Sequence, residues 1–323
     1  MNVQSIRGAM TLQPANQQRL RRIGTAIFFI AIAALLIVFA QRVDWPQVYQ
    51  ALRAYESSTL WLAAGITLIS YGVYSTFDLL GRHYTGHRLP IPLVMTIGFV
   101  CYAFTQTLTA WVGGIAMRFR LYSRYGLQKG DITQIFSISI LTNWIGYLLL
   151  ASIVCALGFV RPPENWPVGM QTFRIGGALL MLPVLIYLWL CYRLPHHSRQ
   201  WLGQEWQVPP LGIGLLQITG GAVNWACMAG VIFVLLRGQV EYPTVLGILL
   251  LSSVAAVIVH IPAGLGVLET LFVTLLSDVD RHQVIAALVG YRAIYYLIPL
   301  LVALSIYVVL EMHAKRSGTE AAH

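Results

Sequence analysis

The residues best placed to do chemistry in this chain are the few charged ones that interrupt apolar runs. In VIVHIPAGLGVLETLF, residues 257–272, Glu269 follows a histidine, a proline and two glycines. A carboxylate in such surroundings can carry a proton, contact a cationic group or hold an arginine, because an idle ionised side chain costs ~2.5–3.5 kcal/mol at the bilayer centre. A glutamate that snorkels to water is the plain alternative. In TAWVGGIAMRFRLYSRYG, residues 109–126, Arg118, Arg120 and Arg124 follow Gly113 and Gly114 and alternate with Phe119, Leu121, Tyr122 and Tyr125. That composition suits phosphate contact beside acyl chains, although a solvated basic loop reads the same way. Arg292 lies deep in ALVGYRAIYYLIPLL among Tyr291, Tyr295 and Tyr296. Gln106, Thr107, Thr109, Asn143 and Asn224 add polar groups that line the same cavity or join helices to one another. Asp78, beside Arg82 at a span end, reads as an interfacial acid. His260 titrates in the physiological range and joins Glu269 as a candidate proton carrier; a hydrogen-bonded core histidine is the competing reading.

Other chemistries lack their residues. No HExxH, no GxxxxGK[ST] and no paired CxxC occurs, and Cys101, Cys155, Cys191 and Cys227 are scattered through apolar runs as small core hydrophobes. His83 and His87 are four apart, but Gly86 and Pro90 argue against a helical metal pair. No cofactor, no metal and no enzymatic activity is expected. The net charge of +9 suits anionic headgroups and the usual basic bias of cytoplasmic loops, and does not call for nucleic acid.

The elements that must position these residues are membrane helices. The chain has 323 residues, 57% hydrophobic and only 10% charged, against roughly a quarter charged in a soluble domain. Apolar runs near the ~20 residues that cross a bilayer centre on residues 23–40, 60–80, 92–112, 135–160, 175–192, 211–236, 245–261 and 284–310, which predicts about eight transmembrane helices. The first has no cleavage pattern after it and reads as an anchor. Gly113 and Gly114 break the chain in one place, and Pro262, Gly264 and Gly266 in another. Backbone freed by such breaks survives at membrane depth only inside protein or beside a water-filled cavity, so each break predicts a re-entrant hairpin.

The two breaks also align. VGGIAMR from Val112 falls on AGLGVLE from Ala263 at an offset of 151, setting Gly113 on Gly264 and Arg118 on Glu269. The fold class expected is therefore an all-α integral membrane protein, a pseudo-symmetric bundle of two halves, about 23–160 and 174–312, with Arg118 and Glu269 meeting in one cavity. A cytoplasmic segment, 1–22, precedes this membrane domain of 23–312, and a tail, 313–323, follows it. Lys and Arg on the two sides nearly balance with the amino terminus inside; if Arg118, Arg120, Arg124 and Lys129 enter the protein, the balance favours cytoplasmic termini. Val48, Leu52 and Tyr55, and further on Trp201 and Trp206, mark short interfacial segments.

These motifs have a family likeness. HIPAGLGVLET and TLTAWVGGIAMRFRLYSRYGL resemble the paired motifs of the transmembrane flippase domain of lysylphosphatidylglycerol synthetase, and the likeness runs from about residue 19 to residue 311. The chain is especially similar to the short, stand-alone, enterobacterial-type inner-membrane members. The resemblance implies re-entrant helices around a central lipid cavity and, in the best-known branch, movement of aminoacylated phosphatidylglycerol between leaflets. Carried onto this chain, the motif glutamate is Glu269, its glycines Gly264 and Gly266, its proline Pro262, and the first-half basic position Arg118. The soluble aminoacyl-transferase domain of the two-part members does not follow the last span, so lipid aminoacylation is not expected and the cargo is not inherited. The expected function is translocation of an anionic phospholipid in the bacterial inner membrane, with Arg118, Arg120, Arg124, Glu269, Arg292 and Asn143 as binding residues. The alternative is a non-transporting partner or regulator of a phospholipid-synthesising enzyme. A lipid-modifying enzyme with Glu269 as base is a third reading, and no nucleophile or metal set accompanies it.

Overall fold

A computed structural model of the chain describes residues 45–320 apart from 109, 161–168, 196, 202–203 and 260–263, together with Ala34, Ile37 and Gln41. The chain divides into two compact units, Met1–Asp44 and Trp45–His323. The expected span at 23–40, apart from Ala34 and Ile37, lies outside the described residues, as do the 1–22 segment, Thr109, His260 and Pro262.

The second unit is helical almost throughout. Helix α1 (Trp45–Arg53) turns Val48, Ala51 and Leu52 inward and leaves Trp45 and Tyr49 exposed, with Arg53 stacked over Tyr49. This one-sided pattern is that of a helix lying in an interface. Helices α2 (Ser57–Ser75) and α3 (Phe77–Thr85) join at Thr76 into one 29-residue span. The Thr76 hydroxyl and backbone N–H both donate to the Val73 carbonyl there, which holds the junction in place. Helix α4 (Ile91–Thr107) begins with Pro92 in its first turn, where no backbone donor is lost. It stops well short of the expected 92–112 because the chain enters a π-helical turn, Ala110–Ala116, and then the eight-residue helix α5 (Met117–Arg124).

Long apolar helices follow: α6 (Lys129–Leu157), α7 (Met170–Arg193), α8 (Leu211–Leu235) and α9 (Tyr242–Val259). Between α7 and α8 the backbone forms a small antiparallel hairpin, β1 (Ser198–Trp201) with β2 (Gln204–Gln207), Ser198 opposite Gln207; this is a sheet element that the all-α expectation omits. After α9 come a short helix α10 (Val267–Leu275), then α11 (Arg281–Tyr291), a second π-helical turn, Arg292–Leu297, and α12 (Ile298–Glu320). Asp280 caps α11 by accepting from the His282 and Gln283 backbone N–H groups.

Six helical stretches are long and apolar enough to cross a bilayer, and α4, at 17 residues, is shorter. Their exposed faces are rows of Leu, Ile and Val, with α7 the barest: Leu179, Leu182, Leu185, Ile186 and Trp189 all look outward. A surface so apolar is matched to lipid, as bundles without a hydrophobic drive between helices require close packing by small residues at their crossings. Helices α6 and α8 supply it, with Gly146 and Gly221 backbone to backbone.

Candidate functional site

Two ion pairs stand beside the two breaks. In the first half, Arg118 projects from α5 into the bundle and is engaged on every side. Its Nε donates to both Asp78 oxygens at 3.2 Å, one terminal nitrogen donates to Asp78 Oδ1 at 2.9 Å and to Ser139 Oγ at 3.1 Å, and the other donates to the Gly114 carbonyl at 3.0 Å. Tyr122, one turn along α5, donates to Asp78 Oδ2 at 2.9 Å. Side-chain exposure is 1% for Arg118 and 0% for Asp78. Asp78 is thus no interfacial acid; it is the counter-charge of Arg118, and the expected meeting of Arg118 with Glu269 does not occur. A charge this deep tolerates burial only when paired and hydrogen-bonded, and here all three guanidinium nitrogens donate.

The break before Arg118 makes that geometry possible. The π-helical turn brings the chain back against α4 so closely that a Cβ on Gly113 would lie 2.0 Å from the Thr105 nitrogen. Gly113 is required by contact, not by dihedral angle, since it is absent from the positive-φ glycines.

In the second half, Glu269 sits in the first turn of α10 and pairs with Arg292 from the π-helical turn after α11. Arg292 Nε donates to Glu269 Oε1 at 2.6 Å and a terminal nitrogen to Oε2 at 3.1 Å, a two-point fork. The same nitrogen reaches the Gly264 carbonyl at 3.3 Å, and Glu269 Oε2 accepts from the Gly266 N–H at 2.9 Å. Glu269 therefore does two structural jobs: it closes the amino end of α10, where a carboxylate also meets the positive end of the helix dipole, and it anchors Arg292. Here the break works through dihedral angles, with Gly264 at φ 57° and Gly266 at φ 85°. Exposure is 27% for Glu269 and 11% for Arg292, so this pair is reachable.

Arg120 and Arg124 are half-buried on α5, separate in role from the sealed Arg118. Asn143 belongs to a third group: its side-chain oxygen accepts from Asn224 at 3.3 Å, and its carbonyl accepts from the Trp225 indole at 3.1 Å. Asn224 in turn joins Ser70 at 2.8 Å, while Tyr295 lies 2.6 Å from Ser70 and 2.8 Å from Tyr102, hydroxyl to hydroxyl. This buried layer ties α2, α4, α6, α8 and the second π-helical turn together, and sequence reasoning singled out its asparagines as polar groups and Tyr295 only as a neighbour of Arg292. A tyrosine in an apolar run carries no signal by itself; the layer shows only once helix packing is known. His83 and His87 are separated by the left-handed Gly86 that ends α3. In the loop beyond it, burial and then the Arg82 charge hold the His87 imidazole below its ordinary pKa, against the opposing pull of Asp131 and Asp78. Among the described residues no cluster of His, Cys, Asp and Glu could hold a metal.

A helical bundle with six bilayer-length apolar stretches, a sealed ion pair in its interior and a second beside a glycine break, defines a multi-pass membrane protein. The chain belongs to the family described as the lysylphosphatidylglycerol synthase TM region, which matches residues 25–303. It is 47% identical to the inner membrane protein YbhN of Escherichia coli K12, over 94% of this chain and 96% of that one. It is 31% identical to the Synechocystis protein slr0712, over 86% of this chain and 87% of that one. It is also 22% identical to a phosphatidylglycerol lysyltransferase of Staphylococcus haemolyticus, over 88% of this chain but only 33% of the relative.

Proposed function

We propose that this protein is a lipid translocase of the bacterial inner membrane, moving an anionic phospholipid across or within the bilayer, with Glu269 and Arg292 as its headgroup site. The observation that carries this reading is the half-open ion pair beside a glycine-dependent break. Arg292 is a two-point phosphate ligand satisfied by a carboxylate, and an arriving phosphate can take the place of that carboxylate. Glu269, once released, faces any cationic part of the headgroup or takes up a proton, with His260 as its companion in proton coupling. Arg120 and Arg124 supply further positive charge on α5, Asn143 steadies the core between the halves, and Arg118 holds its hairpin in place. In this reading the chain re-enters the bilayer at the glycine breaks that follow α4 and α9, α4 and the stretch at 23–40 are spans in addition to the six long stretches, the total is about eight, and both termini are cytoplasmic. The chain acts by transport and not by catalysis.

The test is leaflet exchange of fluorescent phosphatidylglycerol in liposomes that contain the purified protein, with and without a pH gradient. Exchange by the parent, lost in Glu269→Gln and Arg292→Ala proteins that still fold, is the expected result. A folded parent that moves no anionic lipid overturns the reading.

A second reading draws on the lysyltransferase of S. haemolyticus, in which the matched region is a third of a longer chain. A region coupled there to the remainder of such a protein could here serve a separate phospholipid-synthesising enzyme as membrane partner. Stoichiometric co-purification of an enzyme, without intrinsic lipid movement, selects it.

A further inference from the structure

A cavity of about 450 Å³ opens on the bilayer side of the bundle, between α2, α4 and α12. Its wall runs along α2 from Ala64 to Ser75, with Phe99 opposite and Ile294, Ile298 and Val302 closing the third side. The eleven steps of helical rise between Ala64 and Ser75 cover about 16 Å, roughly half the ~30 Å hydrocarbon core, which is the depth of a single leaflet. The lips, Leu68 at 71% and Ile298 at 51% exposure, are side chains that face lipid.

The polar groups of this wall are spent internally. Thr67 donates to the Ala63 carbonyl, Ser75 to Tyr71, Thr96 to Pro92, and the Tyr71 hydroxyl to the Tyr295 carbonyl at 3.0 Å. The lining hydroxyls therefore have no donor to spare, and an anionic group, which needs donors, would lose its hydration there without replacement. Hydrocarbon loses nothing. Gly72 makes the groove possible, since a Cβ added to it would meet no atom within 4 Å. A glycine in mid-helix costs about 1 kcal/mol against alanine, so a position that could hold a larger side chain without collision is here left empty.

From the groove's length, its lipid-facing mouth and its spent hydroxyls, we infer that it is a binding site for one acyl chain of a bilayer lipid. The site is independent of the headgroup reading above and requires only that the protein span the membrane. Its back wall is nonetheless shared with that site: Ile294 lines the groove from the same π-helical turn that carries Arg292, and Tyr71 is bonded to that turn. A chain in the groove packs against one face of the turn while Arg292 leaves from another.

The full-length protein in liposomes with phosphatidylglycerol carrying a diazirine in one acyl chain tests this directly, by photolysis and peptide mapping. Adducts on Leu68, Phe99 and Val302 should exceed those on the exposed α7 residues Leu182 and Trp189 several-fold. Gly72→Leu, which fills the groove and favours the helix, should lower groove adducts to the α7 level and leave α7 unchanged; Ala64→Leu is the second variant, with thermal unfolding confirming that each is folded. Adducts spread evenly over groove and α7, or groove adducts that survive both substitutions, overturn the inference. So does labelling of α7 with none in the groove, the pattern expected if a second copy of the chain covers it. These readings report chain occupancy whether or not the protein moves lipid.

Discussion

Asp78–Arg118 and Glu269–Arg292 are both carboxylate–arginine pairs, each with its arginine or its acid on a short helix after a glycine break. Their surroundings differ. The first is sealed, with Tyr122, Ser139 and the Gly114 carbonyl filling the positions that Asp78 and Arg118 leave to each other. The second keeps 27% of its acid and 11% of its arginine open. A sealed pair gains from fixing geometry and cannot exchange partners without first exposing a charge to a low-dielectric interior; an open one can exchange at modest cost. The same chemistry therefore gives a lock in one half of the molecule and a displaceable contact in the other. The two positions that the sequence alignment of the breaks set against each other, Arg118 and Glu269, carry opposite charge.

The largest effects should come from the sealed side. Arg118→Leu leaves Asp78 buried and unpaired and should cost about 3–5 kcal/mol, seen as a large drop in Tm and in the yield of folded protein from detergent. The double variant Asp78→Leu with Arg118→Leu should recover much of that loss, because the penalty belongs to the orphaned charge; no recovery would show that the hydrogen-bonded geometry itself is needed. Gly113→Ala forces a methyl to within 2.0 Å of the Thr105 nitrogen, and overpacking against backbone should cost about 3 kcal/mol or more. Thermal unfolding checks it. On the open side the balance reverses. Glu269→Gln should lower stability by only about 1–2 kcal/mol, between the values for exposed and buried pairs, while phospholipid exchange falls to background. Equal stability losses for Arg118→Leu and Glu269→Gln would erase the distinction between lock and contact.

Much of this was legible in the residues. Seven of the expected apolar runs fall on described helices, because hydropathy reports length and burial in lipid directly. The breaks were legible only in part: Gly113–Gly114 and Gly264 with Gly266 interrupt helices, but Gly176–Gly177 and Gly220–Gly221 sit inside α7 and α8, with Gly177 and Gly221 as packing positions, so a glycine pair alone does not mark a break. The partners were not legible. Asp78 lies 40 residues before Arg118, and Arg292 lies 23 after Glu269; a lone acid and a lone arginine in apolar spans each demand a counter-charge, but which pairs with which is settled by helix packing. Pairing the two halves through their alignment set Arg118 against Glu269, whereas each found its partner in its own half. The π-helical turn at Arg292–Leu297 was equally hidden, for nothing in RAIYYL distinguishes five-residue from four-residue hydrogen bonding.

The smallest effect discriminates between the two breaks themselves. Gly266 stands at φ 85° with open space where its Cβ would be, so Gly266→Ala meets no neighbour and is penalised through the backbone alone, by about 1 kcal/mol. That is far less than Gly113→Ala, whose dihedral angle is ordinary and whose neighbour is backbone. Yet the Gly266 N–H is the donor that holds Glu269 Oε2 at 2.9 Å, so a shifted Gly266 turns the carboxylate away from Arg292. Gly266→Ala should therefore leave Tm within a few degrees of the parent and still slow lipid exchange measurably, whereas a substitution on the exposed face of α10, such as Thr274→Ala, should change neither. A Gly266→Ala protein with parental exchange would mean that the orientation of Glu269 does not matter, and the open pair would then be a second lock.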